Sequence, residues 1–476
     1  ITTVNVASIG GGQRNCITGL ASTIGGGYCN IGAGDYGIIA GGCLNYTQGS
    51  FATIGGGACN CVNGLGGAVA GGIDNCAVGC AFVGGGLTND ASGTYSTVGG
   101  GYLNQAAGTG ATIAGGVNNF VLSSGNCSTI GGGIENIITG QAVTIAGGQR
   151  NSGSANYVTI GGGFCNVVTN CQSTVAGGRD NTITGACSAI GGGSYNTIST
   201  SHSTIGGGYS HTIAGVGCNT IAGGRVNHIK STEYYGTIAG GCDNILGDVS
   251  GYCPGNFIGG GTRNKVTFSN NNSIVGGCLN TISNLCWGCS VIAGGASNTI
   301  TTQNGLGGSN AIGAGYYNTI NASCRSFIGG GLYNCILSTT EAGIASGNSN
   351  HVCWSPESHI GGGYNNRING NGSPSCRANF IGGGLSNCIE TSCRSFIGGG
   401  QQNCIKFSDG SGILGGNDNT VINKLNTFIL GNNIEAQQDY TTYMESVVAR
   451  GHLQVGGLNT LGSGTTGRID ATNDVV

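Results

Sequence analysis

The sequence predicts an all-β fold: a glycine-rich β-helix or β-roll solenoid of about 27 short coils. Three observations predict it. A motif of small residue, Thr or another side chain, Ile or Val, Gly-Gly-Gly or Ala-Gly-Gly, two variable residues and Asn returns every 15 to 16 residues. Counted on the branched residue before the glycines (the anchor), it occurs 27 times, from Ile9, Ile24, Ile39 and Ile54 to Ile413 and Ile429. Asn stands six residues after the anchor in 25 copies, the exceptions being His211 and Glu435. The third observation is alternation. In 127–136 (Cys-Ser-Thr-Ile-Gly-Gly-Gly-Ile-Glu-Asn), Ser128 and Ile130 fall on one face and Thr129 on the other, the period of a strand.

Each coil follows from this motif. The anchor strand ends at glycines that turn the chain. After the Asn comes a second short strand, such as Ile137-Ile138, whose branched residue eight after the anchor points inward again. Gly, Asn, Ser or Thr form the next turn. The expectation is two strands and two turns per coil, with each strand pairing to its copies above and below, which covers the strand edges. The recurrent Asn (Asn15, Asn30, Asn45, Asn60, Asn75, Asn136, Asn166 and their equivalents) is a structural ladder. An amide carries donors and an acceptor for bonding along a stack, and Asn tolerates the left-handed conformation.

Composition narrows the class. Charged residues are 7% of the chain and the net charge is −3, so no basic face for nucleic acid exists. No run of 18 apolar residues occurs, so no membrane insertion is expected. With 103 glycines the chain could pass for low-complexity disorder, but branched residues in strict phase argue for an ordered fibrous body. The chain opens inside the repeat without Met or signal peptide, and a fragment or mature piece with a missing N-terminal attachment region is expected. Among the 24 cysteines, Cys16, Cys61, Cys76, Cys335, Cys388 and Cys404 all fall seven after an anchor. Cys61/Cys76 and Cys388/Cys404 occupy consecutive coils. A rung of about 4.8 Å permits axial disulfides without requiring them; the alternative is small buried hydrophobes stacked on themselves.

A 15-residue coil has a thin core, so three copies side by side are expected, a parallel homotrimer with a rod on the order of 130 Å long. The repeat divides the chain into 1–205, a regular shaft of 15-residue coils; 206–433, a wider region of 16- to 21-residue coils; and 434–476, a collar. Spacing departs from 15 twice in the first region, before Val83 and before Ile130. The residue before the anchor is Thr in eleven coils between Thr23 and Thr237, then Phe at Phe257, Phe327, Phe380, Phe396 and Phe428. A change of cross-section near 205–240 is expected, together with a face that buries the aromatics.

Arrays of Ser-x-Ile-Gly-Gly-Gly-x-x-Asn-x-Ile resemble the shafts of bacteriophage tail fibres and, in architecture, the heads of trimeric autotransporter adhesins. Tyr443-Met444-Glu445-Ser446-Val447-Val448-Ala449-Arg450-Gly451-His452-Leu453-Gln454-Val455-Gly456-Gly457 is similar to the collar strands of trimeric phage fibres. The stretch from Gly467 to Val476 resembles the segment that precedes a self-cleaving, endosialidase-type intramolecular chaperone. The resemblance implies a virion tail fibre, assembled in the host cytoplasm and acting outside the cell. It would join other tail or baseplate proteins through the missing N-terminus and attach to a host-surface receptor, a glycan or an outer-membrane component. A cellular adhesin or surface appendage is the competing class; a polysaccharide-degrading tailspike with an intersubunit site is the enzymatic one.

Catalytic constellations are missing from the sequence. Eighteen acidic residues are scattered, the six His form no metal spacing, and the glycine runs lack the Lys-Ser/Thr of a phosphate loop. Zinc is not expected, since Cys286 and Cys289 form one lone C-x-x-C. No catalysis, cofactor or metal is expected of this chain. The Thr column suggests an ice-binding face, but its partner position is inward Ser or Ala and the column gives way to Phe. Both Trp and all three Pro lie between anchors, and loops on a rigid scaffold are where recognition sits. Receptor-binding candidates are therefore Trp287, Trp354, Tyr252, His351, His359 and Arg377, with a seam-sealing role for the two Trp as the alternative.

Overall fold

The computed structural model describes residues 6–247, 253–267, 270–284, 288–302, 308–372 and 376–445. These residues form strands and turns with no helix. The chain is a parallel β-solenoid of about 26 turns: one wall is a 28-stranded sheet, another a 26-stranded sheet. Every strand pairs in parallel with the equivalent strand of the next turn, as in Thr129↔Thr144 with Ile130↔Ile145, and Ile137↔Ser152 with Ile138↔Gly153. A third column, four residues after the anchor, adds one bridge per turn, Gln13↔Tyr28↔Cys43↔Ala58 and onward. The coil thus has three paired walls where two strands and two turns were expected.

The core is two facing columns of branched residues. Anchors such as Ile54, Ile130 and Ile360, and position-eight residues such as Val62, Ile138 and Ile368, are fully or almost fully buried. Each buried Ile or Val contributes roughly 1.5–3 kcal/mol, so one turn alone has little to hold it and stability accrues by stacking.

Position six is the ladder the sequence predicts. Asn60 Nδ2 donates to the Gly56 and Gly72 carbonyls, both at 2.9 Å, and Asn60 Oδ1 accepts from Asn75 N at 3.0 Å. The third glycine makes room for this: Gly57 has φ 87°, and a Cβ there would collide with the Gly72 carbonyl and lie 2.7 Å from Asn60 Nδ2. The left-handed conformation belongs to the residue before the Asn, not to the Asn. Leu44, Glu135 and Val226 have φ of 58°, 56° and 54°, and no described ladder Asn has positive φ. A second left-handed residue sits three before the anchor, as at Tyr36 (φ 59°). Both reverse the direction of one peptide. Tyr28 N donates forward to Gly42 O, whereas Leu44 N donates back to Tyr28 O, each at 2.9 Å. Side chains bear the left-handed cost, about 1–2 kcal/mol apiece, because the reversed N–H is satisfied only there.

His211 occupies one rung. Its N donates to Asn196 Oδ1 and its Nδ1 accepts from Asn227 N at 3.1 Å, while the buried Nε2 has no partner. Burial holds its pKa below the ordinary value.

A second polar ladder, unforeseen from the sequence, runs two residues before the anchor. Each side-chain oxygen accepts the next turn's backbone N–H: Ser128 Oγ from Val143 N, Ser173 Oγ from Ser188 N, Ser203 Oγ from Asn219 N, Asn219 Oδ1 from Gly236 N. Gly236 offers no side chain, and the fully buried Glu233 fills the gap. Its Oε1 accepts from Asn256 N at 3.0 Å and Oε2 from Asn256 Nδ2 at 2.9 Å. Asn256 Oδ1 then accepts from Asn272 N and the column continues. Burial pushes the Glu233 carboxyl up to about 7, against these two hydrogen bonds, which lower it.

The cross-section changes in two steps. Between 205 and 258 the extra residues leave the walls as a side insertion, where Glu233–Tyr234 pairs with Cys253–Pro254. From Lys265–Thr267 onward the strands after the ladder Asn lengthen from two residues to three or four. A new left-handed corner also appears ten after the anchor: Ala322, Ser338, Trp354, Thr391, Phe407 and Asn423, with φ between 47° and 54°. Residues 434–445, expected to leave the repeat, add Thr442–Met444 to the first wall opposite Phe428–Leu430. The remainder of the expected collar lies outside the described residues.

Candidate binding face

The new corner opens a fourth face between positions ten and minus three, and this face collects chemistry. Turn upon turn it stacks Pro356 and Glu357, Arg377 and Ala378, Cys393 and Arg394, then Asp409 and Gly410. The backbone fixes that register: Ala378 N donates to Pro356 O, Arg394 N to Arg377 O, and Gly410 N to Cys393 O, each at 2.9 Å. Glu357, Arg377, Arg394 and Asp409 line a shallow open cleft of about 460 Å³. Arg377 Nη1 lies 3.7 Å from Glu357 Oε1, and Asp409 Oδ1 accepts from Cys393 N at 2.8 Å. Arg394 forms no ion pair among the described residues. Arg325 and Glu341, 2.9 Å apart, continue the charged edge on the side nearer the N-terminus. Trp354, 40% exposed, and Phe407, 55% exposed, stand at the corner of the same face. Their backbones are held by Trp354 N to Leu337 O and Phe407 N to Glu390 O.

Chemically, two guanidiniums between two carboxylates can take an anion on Arg394 and hydroxyl donors on Glu357 and Asp409. The flanking indole and phenyl offer flat apolar surface.

Of the candidates named from sequence, Trp354 and Arg377 share this face. His351 and His359 do not: His351 is on an outer position of the 26-stranded wall between Cys335 and Arg367. His359 is on the first wall between Gly343 and Phe380. Trp287 and Tyr252 lie outside the described residues. Glu357, Arg394, Phe407 and Asp409 were missed. Aligning the turns on their anchors places Glu357 and Arg394 in one column three before it, a signal present in the sequence and masked by the insertion at 370–379.

The Phe column is not buried by its own chain. Phe327, Phe380, Phe396 and Phe428 are 37–49% exposed, and Phe380 and Phe396 stack at 5.8 Å. A shallow apolar groove lies over Gly343, between Phe327 and Phe380 with His359 on its wall. The position-seven cysteines are likewise on the outer face, exposed or half-buried, and free; burial as small hydrophobes does not describe them.

The fold and its faces define a class, a long parallel β-solenoid carrying one chemically distinct face. Compared with protein-family models and with curated proteins, the chain matches none.

Proposed function

We propose that the chain is a rigid extracellular attachment fibre, the shaft of a viral tail fibre that associates as a parallel trimer and binds a host-surface glycan. The observation that carries this reading is the cleft in which Arg377 and Arg394 stack between Glu357 and Asp409, with the exposed Trp354 and Phe407 at its corner. A scaffold needs only its ladders, and Trp354, Phe407, Arg377 and Arg394 belong to none of them. The exposed Phe column supports side-by-side association, since a stripe of phenyl rings is costly to leave in water. The low charge favours adhesion over glycan cleavage, as do Arg377 and Arg394, which stand between the two carboxylates of the cleft.

The test is binding of the purified full chain to an array of bacterial surface glycans, alongside sedimentation to count chains. Arg377→Ser with Arg394→Ser should lower binding at least tenfold while leaving the assembly intact. Wild-type binding by that variant would remove the cleft from the reading. A monomer in solution would remove the trimer, and shortened glycan after incubation would favour the enzymatic class.

A further inference from the structure

Two pairs of thiols sit in register on adjacent rungs. Cys61 lies opposite Cys76, and Cys388 opposite Cys404, at the same outward position of the 26-stranded wall and more than 300 residues apart in sequence. All four are half-buried and free. Each pair also has a polar neighbour placed on it. The Asn63 amide touches both sulfurs of the first, Cys61 Sγ donating to Oδ1 at 2.9 Å and Nδ2 donating to Cys76 Sγ at 3.8 Å. The second has Lys406 two residues along the same strand, its Nζ 3.0 Å from Glu390 Oε2 and its charge felt by both thiols.

We propose that each pair is a two-coordinate thiolate site for a soft monovalent cation of the copper(I) class. In-register side chains on parallel strands keep the rung distance of about 4.8 Å between their Cβ atoms. The rung permits a disulfide only at some cost, since Cβ atoms bridged by one stand about 3.5–4.5 Å apart and closing it draws together two strands that are each already paired on their other side. An ion held between the two sulfurs separates them by two metal–sulfur bonds, about 4.6 Å on the zinc–thiolate length of about 2.3 Å, and so leaves the backbone where it stands. No group of three or more His, Cys, Asp or Glu side chains converges among the described residues, which disfavours a tetrahedral protein-only zinc site. Softness then selects copper(I) among ions that accept two thiolates.

Binding releases both thiol protons to solvent and forms two metal–sulfur bonds, leaving one net negative charge and no change of oxidation state. Lys406 offsets that charge at the second site, and the Asn63 amide donates toward sulfur at the first.

The experiment is an anaerobic titration of the reduced full chain with copper(I) against a competing copper(I) chelator. Cys61→Ser with Cys76→Ser should remove one tightly held equivalent, and Cys388→Ser with Cys404→Ser another. Cys59→Ser with Cys127→Ser, at exposed and unstacked thiols, should remove none. X-ray absorption on the loaded protein should show two sulfur neighbours in a linear arrangement. Circular dichroism confirms that each variant keeps its fold. Unchanged metal retention by the paired variants would overturn the proposal, and so would equal loss in the unstacked control. A mass lower by two hydrogens, mapped to 61–76 or 388–404 in metal-free protein kept from strong oxidants, would also overturn it in favour of a disulfide.

Discussion

The turns from Ile9 to Ile205 and those from Ile258 to Ile429 share one ladder and differ on the side opposite it. In the first stretch the chain closes from the second strand to the next anchor through one left-handed residue, as at Tyr36 or Tyr157. In the second, strands such as Cys335–Leu337 and Cys404–Lys406 have gained a residue and a second left-handed corner follows. The ladder is indifferent to this: Asn136 and Asn366 make the same bonds to glycines four residues back and one turn on. The comparison teaches that the Asn–Gly corner fixes the pitch of the stack, while the far side is free to widen. Widening is what creates the fourth face on which Trp354, Arg377 and Arg394 appear.

The largest expected effect tests that equivalence. Asn136→Ala and Asn366→Ala each remove bonds to two glycine carbonyls and leave the next Asn N–H without its acceptor. Each should cost about 3 kcal/mol or more locally, since buried groups are left unsatisfied. Amide hydrogen exchange of the flanking turns measures this turn by turn. A cost at Asn366 less than half that at Asn136 would break the comparison, assigning pitch in the wider stretch to its longer strands.

Glu233 sits at the junction of the two stretches, and its effect depends on pH. A buried carboxyl raised from 4.5 to about 7 keeps its proton in the fold where the unfolded chain has lost it. The folded state then holds more protons between those values, so local stability falls as pH rises from 4.5 through 7 and is flat above. The full fall is about 3 kcal/mol at 1.36 kcal/mol per unit. Glu233→Gln should abolish this slope in exchange rates at 219–272 measured from pH 5 to pH 8. A slope unchanged in the variant would place the titrating group elsewhere.

How much of this was legible depends on whether a position repeats its residue or only its role. Ile130, Ile138 and Asn136 repeat both, so core, strand and ladder could be written from sequence. The inner ladder repeats a role with Ser, Asn and, at Glu233, a carboxylate from three residues upstream of an empty Gly236; no single letter marks it. Asn tolerates left-handed corners in isolation, whereas the stack places Leu44, Glu135 and Val226 there by demanding a reversed peptide. Of the binding face, Trp354 and Arg377 were visible as composition anomalies between anchors. Glu357, Arg394 and Asp409 were not, since charged residues at corners are unremarkable until stacking brings them together.

A middle-sized effect is expected at the interrupted rung. His211→Asn should restore donors to the two glycine carbonyls and remove the unpartnered Nε2, stabilising turns 205–221 by about 1–2 kcal/mol. Slower exchange at Asn227 and its neighbours reports it, and faster exchange would show that the imidazole fits its site better than the amide.

The smallest effect separates the two stretches most finely. Thr88 (φ 54°) stands at the corner before the ladder, which both stretches possess; Thr391 (φ 50°) stands at the corner found only in the wider one. A β-branched residue in the left-handed region costs about 1–2 kcal/mol, and glycine relieves it while losing somewhat less to unfolded-chain entropy. Thr88→Gly and Thr391→Gly should therefore each gain about 0.5 kcal/mol if both corners are held by the same reversed peptide, Thr88 N to Ile73 O and Thr391 N to Asn369 O. Thermal melting of each variant compares them. A gain at Thr88 alone would mean that the second corner is set by the threonine itself, so that the wide cross-section is locally encoded; equal gains would mean that stacking imposes both corners and the side chains merely tolerate it.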